Sequence, residues 1–182
     1  MSGSHELDRE ALGDHIDRLY RAARAMTGSR EEAEDLVQET FARVLTKPRF
    51  LRNDDDLGYL LRVLRNTFIS SHRTASRRPL ESPLPDTFEL EDPRAPQPEA
   101  RIETNALYAA IATLSDDFRD ALIAIDVVGL SYREAARALR VREATITTRL
   151  HRARQRVAEA MEEGSPSSPS SPSSPSSPSS RS

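Results

Sequence analysis

Apolar residues recur at helical spacing through the first part of the chain. Between positions 12 and 45 they return every three or four residues, which is the pattern of amphipathic helices. These positions are Leu12, Ile16, Leu19 and Tyr20, then Leu36, Val37, Thr40, Phe41, Val44 and Leu45. A break at Thr27-Gly28-Ser29 predicts two helices, because glycine commonly ends a helix and serine caps the next one.

Local signals place the next boundaries. Ser29 and Glu32 have the spacing of a capping box, and Pro48 is expected to stop the second helix. A polar loop, Leu51 to Asp56, leads to a third helix with apolar positions Leu57, Leu60, Leu61, Leu64 and Phe68.

The middle of the chain has a different composition. Six prolines lie between Pro79 and Pro98 without sustained periodicity, which predicts an extended linker. Helical spacing returns at Leu107, Ile111 and Leu114, and Ser115 is expected to cap a helix that carries Phe118, Leu122 and Ile125. After position 164 a Ser-Ser-Pro repeat has no apolar side chains to bury, which favours a disordered tail.

The segment from Gly129 to Arg154 has the pattern of a helix-turn-helix. Gly129 breaks the preceding helix, Ser131 and Glu134 offer a capping box, and a first helix follows to Leu139. After a turn at residues 140–142, a second helix would bury Ile146, Leu150, Ala153 and Val157. Its opposite face carries Thr147, Thr148, His151 and Arg152, side chains that can reach base edges in a major groove. An ordinary helical hairpin with a charged surface is the alternative.

Charge is unevenly distributed along the chain. Residues 57–78 hold five arginines and no acid, and residues 129–156 hold eight arginines against two glutamates. Between these blocks, residues 81–103 hold seven acids against two arginines. Two basic blocks indicate two contacts with a polyanion, although solvated helix faces have the same composition. The arginines placed for phosphate contacts are Arg133, Arg142, Arg149, Arg154 and Arg156.

Composition restricts the remaining chemistry. The chain has no cysteine, which excludes disulfides and thiolate metal sites, and its four histidines are scattered. No apolar run approaches the roughly 20 residues that cross a bilayer, and Met1 to Glu10 does not resemble a signal peptide. We therefore expect a cytoplasmic protein that is not inserted in a membrane, has no cofactor and is not an enzyme.

Two motifs resemble those of one family. Gly129-Leu-Ser-Tyr-Arg-Glu-Ala-Ala and Thr145-Ile-Thr-Thr-Arg-Leu-His-Arg-Ala-Arg are similar to region 4 of extracytoplasmic-function sigma factors. Ala33-Glu-Asp-Leu-Val-Gln-Glu-Thr-Phe41 resembles sigma region 2.2, and Tyr59-Leu-Leu-Arg-Val-Leu-Arg-Asn66 resembles region 2.3 running into 2.4. The motifs occur in the family's order, with a linker between them.

The resemblance implies an all-α fold of two small helical domains and a set of partners. The partners are core RNA polymerase (its β′ clamp helices and β subunit), promoter DNA and, as a candidate, an anti-sigma factor.

Polymerase docking would use Asp35, Gln38, Glu39 and Phe41. The −10 element would meet Asn53, Arg62, Arg65, Asn66 and Arg73, with the 51–56 loop holding a flipped base. The −35 element would meet Ser131, Tyr132, Arg133, Thr145, Thr147, Thr148, Arg149, His151, Arg152 and Arg156. The acidic linker would thread toward the active channel of the polymerase.

Some positions depart from the family pattern. Thr147 stands where Lys or Arg is usual, Ser70 stands where Asp is common, and the loop is acidic at Asp54, Asp55 and Asp56. These departures bear on which promoter sequence is read. The expected domains are region 2 at residues 1–78, a linker at 79–103, region 4 at 104–164 and a tail at 165–182.

Three other classes of protein share some of these sequence features. A helix-turn-helix regulator that binds operators directly would not need the region 2.2 motif. An enzyme would need a phosphate loop or a paired catalytic motif, neither of which occurs in the sequence. A helical adaptor would not need the two arginine blocks.

Overall fold

The computed structural model describes residues 4–6, 9–46, 50–52, 56–77 and 98–164. Its helices are α1 (Arg9–Thr27), α2 (Arg30–Thr46), α3 (Asp56–Arg77), α4 (Pro98–Ala112), α5 (Asp116–Leu122), α6 (Tyr132–Leu139) and α7 (Glu143–Gly164). A π-helical turn, Ile123–Val127, follows α5 directly. The expected all-α fold is confirmed, and residues 78–97 and the 165–182 tail lie outside the described residues.

A short antiparallel strand pair accompanies the helices. Strand β1 (Ser4–Glu6) pairs with β2 (Phe50–Arg52), so that His5 lies opposite Leu51. The expectation of a polar loop from Leu51 to Asp56 was therefore wrong at both ends, because Leu51 belongs to β2 and Asp56 begins α3. A pairing partner nearly fifty residues away leaves no trace in local periodicity.

The first three helices pack around one apolar centre. The almost completely buried leucines of this cluster are Leu19 of α1 and Leu60, Leu61 and Leu64 of α3, and α2 contributes Leu36. Gly28 ends α1 in the left-handed region, at φ +73°. This backbone conformation is strained for residues with a Cβ, so the predicted break at Gly28 has a direct conformational cause.

The three predicted helix caps, at Ser29, Ser115 and Ser131, differ in which of their capping hydrogen bonds are present. At Ser29 only half of the expected capping box is present: its hydroxyl accepts from the Glu32 amide at 3.5 Å, while its own amide donates to Thr27 Oγ1 at 3.2 Å. Ser115 occupies the N-cap position of α5, but its side chain forms no capping hydrogen bond, which corrects that expectation. At Ser131 the predicted box with Glu134 is complete.

Two features of the C-terminal half differ from the sequence prediction. The single helix expected after Ser115 widens into the π-helical turn, where the Val128 amide donates to the Ile123 carbonyl at 2.9 Å. Helix α4 begins at Pro98, so residues 98–103 of the predicted linker are helical. Proline is tolerated in the first turn of a helix, where its missing amide hydrogen would have no partner, so proline density alone misplaced this boundary.

The helix-turn-helix forms as predicted. Helix α6 ends at Arg140, which adopts the left-handed conformation at φ 57°, and α7 begins three residues later. Ala135 and Ala136 of α6 and Ile146, Leu150 and Ala153 of α7 are buried. Small alanines at the crossing let the two helices approach closely, as the interpretation required.

The two halves of the chain are packed against each other. Helix α4 and the π-helical turn contact α1, while α6 contacts α3. A Cβ added at Gly28 would lie 3.2 Å from Ala112 Cβ, which is closer than an ordinary carbon contact. The buried apolar residues of both halves form one continuous cluster.

Candidate nucleic-acid and polymerase interfaces

The outward face of α7 presents four polar side chains to solvent. Thr147, Thr148, His151 and Arg152 are exposed, opposite the buried Ile146 and Leu150. Both threonine hydroxyls donate within the helix, Thr147 to the Glu143 carbonyl at 3.2 Å and Thr148 to the Ala144 carbonyl at 3.1 Å. Their methyl groups and oxygen lone pairs remain available to a groove.

His151 and Arg152 are the open donors of this face. Within the described part of the chain, neither has a hydrogen-bond or ion-pair partner. A guanidinium without a partner can form bidentate hydrogen bonds to the edge of guanine. The outward face of α7 therefore carries two donors that the described part of the protein does not engage.

Three of the five arginines assigned to phosphate are, by contrast, engaged by the protein. Arg149 pairs with Asp117 at 2.6 Å, and Arg156 lies over the Phe118 ring, 5.0 Å from its centroid. Arg154 donates two hydrogen bonds to the Asp126 carboxylate, at 2.9 and 2.6 Å. These bonds raise the pKa of the Arg154 guanidinium above its usual range. These contacts hold α7 against α5 and the π-helical turn. Local sequence patterns do not indicate these particular pairs.

The start of α6 lies beside this face. Ser131, Tyr132 and Arg133 are exposed there, and Thr145 is half-buried near the start of α7. The Ser131 hydroxyl and amide both donate to Glu134, at 2.6 and 2.8 Å. These bonds hold the pKa of the Glu134 carboxyl below its ordinary value, so it is ionised at neutral pH.

Helix α3 carries the residues predicted for the opened −10 strand. Asn66 and Arg73 are exposed, whereas Arg62 and Arg65 are half-buried against the C-terminal half. Arg62 donates from Nε to the Ala138 carbonyl at 3.2 Å, and Arg65 forms an ion pair with Asp120. Asn53 lies outside the described residues.

The predicted polymerase-docking residues follow one another along α2. Asp35, Gln38 and Glu39 are exposed, while Phe41 is half-buried and packs against the core. Beside them a groove of about 350 Å³ runs between α2 and α3. Its lining combines acidic and apolar groups: Thr27, Glu32, Asp35, Leu36, Glu39, Phe68, Ser71 and His72. Most of these residues were not predicted, because the groove depends on how α3 packs on α2.

Two family models match separate segments of the chain. The model of Sigma-70 region 2 matches residues 12–78, and that of Sigma-70, region 4 matches residues 104–157. Together these segments contain every described residue assigned above to polymerase or DNA. The chain belongs to the sigma-70 family, in its extracytoplasmic-function group.

Individual sigma factors of this group are similar over most of the chain. The sigma factor SigE of Mycolicibacterium smegmatis is 33% identical over 160 residues, which cover 86% of this chain and 62% of SigE. The sigma factor EcfG of Rhodopseudomonas palustris is 32% identical, covering 79% of this chain and 78% of EcfG. This sigma factor therefore spans less than two thirds of the length of SigE.

Solved structures of sigma factors share the fold. The sigma factor RpoE, crystallised with the anti-sigma factor NepR from Bartonella quintana, superposes with a TM-score of 0.61 and 27% identity, over 86% of this chain and 98% of RpoE. CnrH in complex with the cytosolic domain of CnrY gives a TM-score of 0.59 at 20% identity, over 86% of this chain and 88% of that one, which supports the fold alone. No described helix of this sigma factor is long and apolar enough to cross a bilayer.

Proposed function

We propose that this chain binds core RNA polymerase and directs it to promoters, with region 2 recognising the −10 element and region 4 the −35 element. The observation that carries the proposal is the occurrence of both sigma regions in one chain, in order, each with an arginine-bearing helix. Region 2 alone would suggest a polymerase-binding fragment, and region 4 alone a general helix-turn-helix regulator. The protein acts as a specificity subunit, and the chemistry of RNA synthesis belongs to the polymerase.

The α2 surface supports the polymerase contact. Asp35, Gln38 and Glu39 lie exposed within about one turn of each other, next to the groove against α3. Acidic and amide groups on a rigid helix suit a basic partner helix, and the apolar floor of the groove suits a side chain from that partner. We assign this surface to the β′ clamp helices, and region 4 to the β subunit. Since the polymerase works in the cytoplasm, we expect the protein to act there.

The α7 face supports promoter reading. His151 and Arg152 project without partners beside Thr147 and Thr148, on a helix held firmly by buried Ile146 and Leu150. A rigid helix with unengaged donors fits direct readout of base edges. Asn66 and Arg73, both exposed on α3, are assigned to the −10 strand together with Arg62 and Arg65.

An anti-sigma protein is the remaining proposed partner. RpoE, the similar sigma factor from Bartonella quintana, was crystallised with its anti-sigma factor NepR. We propose that this chain is controlled by a protein of the same class. Co-purification of a single small protein with the tagged chain, and loss of transcription when that protein is added back, is the expected result.

Transcription with core polymerase tests the main proposal. The full chain, added to core RNA polymerase with a library of promoter-length DNA fragments, is expected to yield transcripts that start at a shared pair of −10 and −35 sequences. Core polymerase alone is the control. Transcripts that start at the same positions with and without the chain would contradict the proposal.

A further inference from the structure

Two arginines flank the buried stripe of α7. The stripe consists of Ile146, Leu150 and Ala153, which are all almost completely buried. At 3.6 residues per turn, Arg149 and Arg154 project about 140° apart around the helix axis, with the stripe between them. The two arginines therefore lie along the edges of the stripe, whereas the polar face that carries His151 points toward solvent.

The first edge of α7 is held against the start of α5. Arg149, whose side chain is 23% exposed, pairs with Asp117 at 2.6 Å. Arg156 lies about two turns further along the same edge, over the ring of Phe118. Because the face of an aromatic ring attracts a cation, charge and packing act together on this side of the helix.

The second edge is held against the π-helical turn. Arg154 donates one hydrogen bond to each carboxylate oxygen of Asp126, at 2.9 and 2.6 Å. Paired bonds between planar groups fix the direction of approach as well as the distance. Asp126 lies within Ile123–Val127, and a residue in a π-helical turn advances by a smaller rotation than one in an α-helix. The turn therefore points the Asp126 side chain in a direction that a continued α5 would not give it.

These ion pairs are better suited to fixing geometry than to adding stability. The side chains of Arg154 and Asp126 are 56% and 32% exposed, and ion pairs with that much access to water contribute little to the free energy of unfolding. The buried residues that α6 offers at its crossing with α7 include Ala135 and Ala136. Short side chains form shallow ridges, so this crossing by itself opposes rotation of α7 about its own axis only weakly.

Rotation of α7 about its axis would displace its outward face. A helix with its side chains has a radius of about 5–6 Å, so a rotation of about 10° moves the side-chain tips by about 1 Å. A hydrogen bond to a base edge tolerates only a few tenths of an ångström in length, so a shift of this size misaligns it.

We propose that Asp126 and Asp117 are positioning residues for promoter specificity: their ion pairs with Arg154 and Arg149 fix the rotation of α7, so that its outward face meets the −35 bases in a single orientation. This inference rests on the proposed function, which assigns that face to the −35 element. Arg154 then acts inside the protein, in place of the phosphate contact expected from the sequence.

Asp126→Asn is the variant that tests the second edge. The amide keeps the size of the side chain and removes the charge that orients Arg154. In run-off transcription with core polymerase on a library of −35 variants, we expect the preference for the best sequence over single mismatches to fall about fivefold. The thermal midpoint should change by only about 2 °C, since the pair is largely exposed. Asp117→Asn should lower the preference by less, because its pair has a single hydrogen bond.

A second measurement follows the orientation of α7 in the full chain without polymerase. The sequence has no cysteine, so Ala109→Cys on α4 and Gln155→Cys on α7, both at exposed positions, accept a pair of spin labels. The distance between the labels should have a narrow distribution in the otherwise unchanged chain. We expect Asp126→Asn to broaden it, because one of the two restraints on rotation is lost.

Two further variants separate orientation from a general effect of charge. Glu103→Gln removes a charge from an exposed site on α4 and should leave the −35 preference at the wild-type level. Asp126→Arg combined with Arg154→Asp restores the pair with its charges exchanged, and it should recover most of the preference that Asp126→Asn loses. A purely structural effect on stability would not produce this recovery at an unchanged thermal midpoint.

Four results would overturn the inference. They are an unchanged −35 preference in Asp126→Asn, an equal loss in Glu103→Gln, no recovery in the exchanged pair, and tighter binding of Asp126→Asn to mixed-sequence duplex DNA with a salt slope about one unit steeper. The last result would show that Asp126 withholds Arg154 from phosphate instead of orienting α7. Fluorescence anisotropy at several salt concentrations measures it on the free chain.

Failure of the proposed function gives a different pattern. If the wild-type chain directs no transcription with core polymerase, but Asp126→Asn broadens the distance distribution, the promoter assignment fails and the ion pair still fixes α7. If the wild-type chain shows a −35 preference that Asp126→Asn does not change, only the positioning role fails.

Discussion

Arg152 and Arg156 lie one turn apart on α7 but in different surroundings. Arg152 has no partner within the described residues, whereas Arg156 lies over the Phe118 ring. We expect Arg152→Ala to relax preference at one or two neighbouring −35 positions, at a cost of about 1–3 kcal/mol for the preferred base. Run-off transcription with polymerase on a library of −35 variants measures this preference.

Arg156→Ala is the matched control for that experiment. Loss of a phosphate contact should weaken all promoters alike and lower the salt dependence by about one unit of slope. Measuring at two salt concentrations separates the two classes of contact. Uniform loss across the library in both variants would make Arg152 a backbone contact and leave base reading to Thr147, Thr148 and His151.

The capping box at Ser131 should make the free energy of unfolding depend on pH in the acid range. Hydrogen bonds from Ser131 hold the pKa of Glu134 below its ordinary 4.5, so the stabilisation is present above that value and is lost as pH falls through the lowered pKa. Glu134→Gln should therefore lower the free energy of unfolding at neutral pH, and the difference from wild type should shrink in acid. Urea unfolding at a series of pH values measures it.

Ser131→Ala sets the scale for that comparison. Removal of an N-cap hydroxyl costs about 1 kcal/mol, and this cost should remain where Glu134 is protonated, since the Glu134 amide loses its acceptor at any pH. A Glu134→Gln difference that is the same at every pH would contradict the electrostatic account.

At the scale of the element, α2 offers a surface that can be changed without disturbing the core. Asp35 and Gln38 are exposed, whereas Phe41 packs against buried residues. Asp35→Arg or Gln38→Ala should weaken binding to core polymerase and leave the circular dichroism spectrum unchanged. Glu31→Arg, exposed at the start of the same helix, is the charge control. Unchanged affinity in the Asp35 and Gln38 variants, measured by titration with core enzyme, would remove α2 from the docking surface.

The two glycines that end helical segments form a second matched pair. Gly28 and Gly129 both have positive φ, but an added Cβ would meet Ala112 only at Gly28. Gly129→Ala should cost about 1–2 kcal/mol from the backbone conformation alone. Gly28→Ala should cost more, because α4 must also move. Thermal unfolding measures the loss of stability in each variant. Equal losses would indicate that α4 moves at this contact without a further cost in stability.

At the scale of the whole molecule, the helices proposed to read DNA, α3 and α7, belong to different regions, joined through residues 78–97. On that proposal each helix alone offers a small contact, and the polymerase holds both at promoter spacing. We expect weak binding of the free chain to duplex promoter DNA and strong binding once core enzyme is present, measured by gel shift. Tight, sequence-specific binding without polymerase would favour a regulator that binds operators directly.

The helices and the helix-turn-helix were predictable because their causes are local. Periodicity at residues 12–45, the breaks at Gly28 and Gly129, and the box at Ser131 each depend on residues a few positions apart. The exposed face of α7 follows from the same periodicity, since fixing Ile146 and Leu150 inside places His151 and Arg152 outside. The resemblance of the motifs to sigma factors also indicated RNA polymerase and promoter DNA as partners, which composition alone could not identify.

Only the tertiary structure decided which charged groups meet. Arg65 and Asp120 are 55 residues apart, and among 26 basic and 29 acidic side chains no local rule selects that pair. The same holds for Arg62 at the end of α6 and for Arg149 with Asp117. The sequence by itself determined the helix breaks at Gly28 and Gly129 and the apolar side of α7, because those depend on neighbouring residues. The packing of α3 on α6 determined which arginines are covered, because long-range ion pairs form only after apolar faces have set the distance between helices.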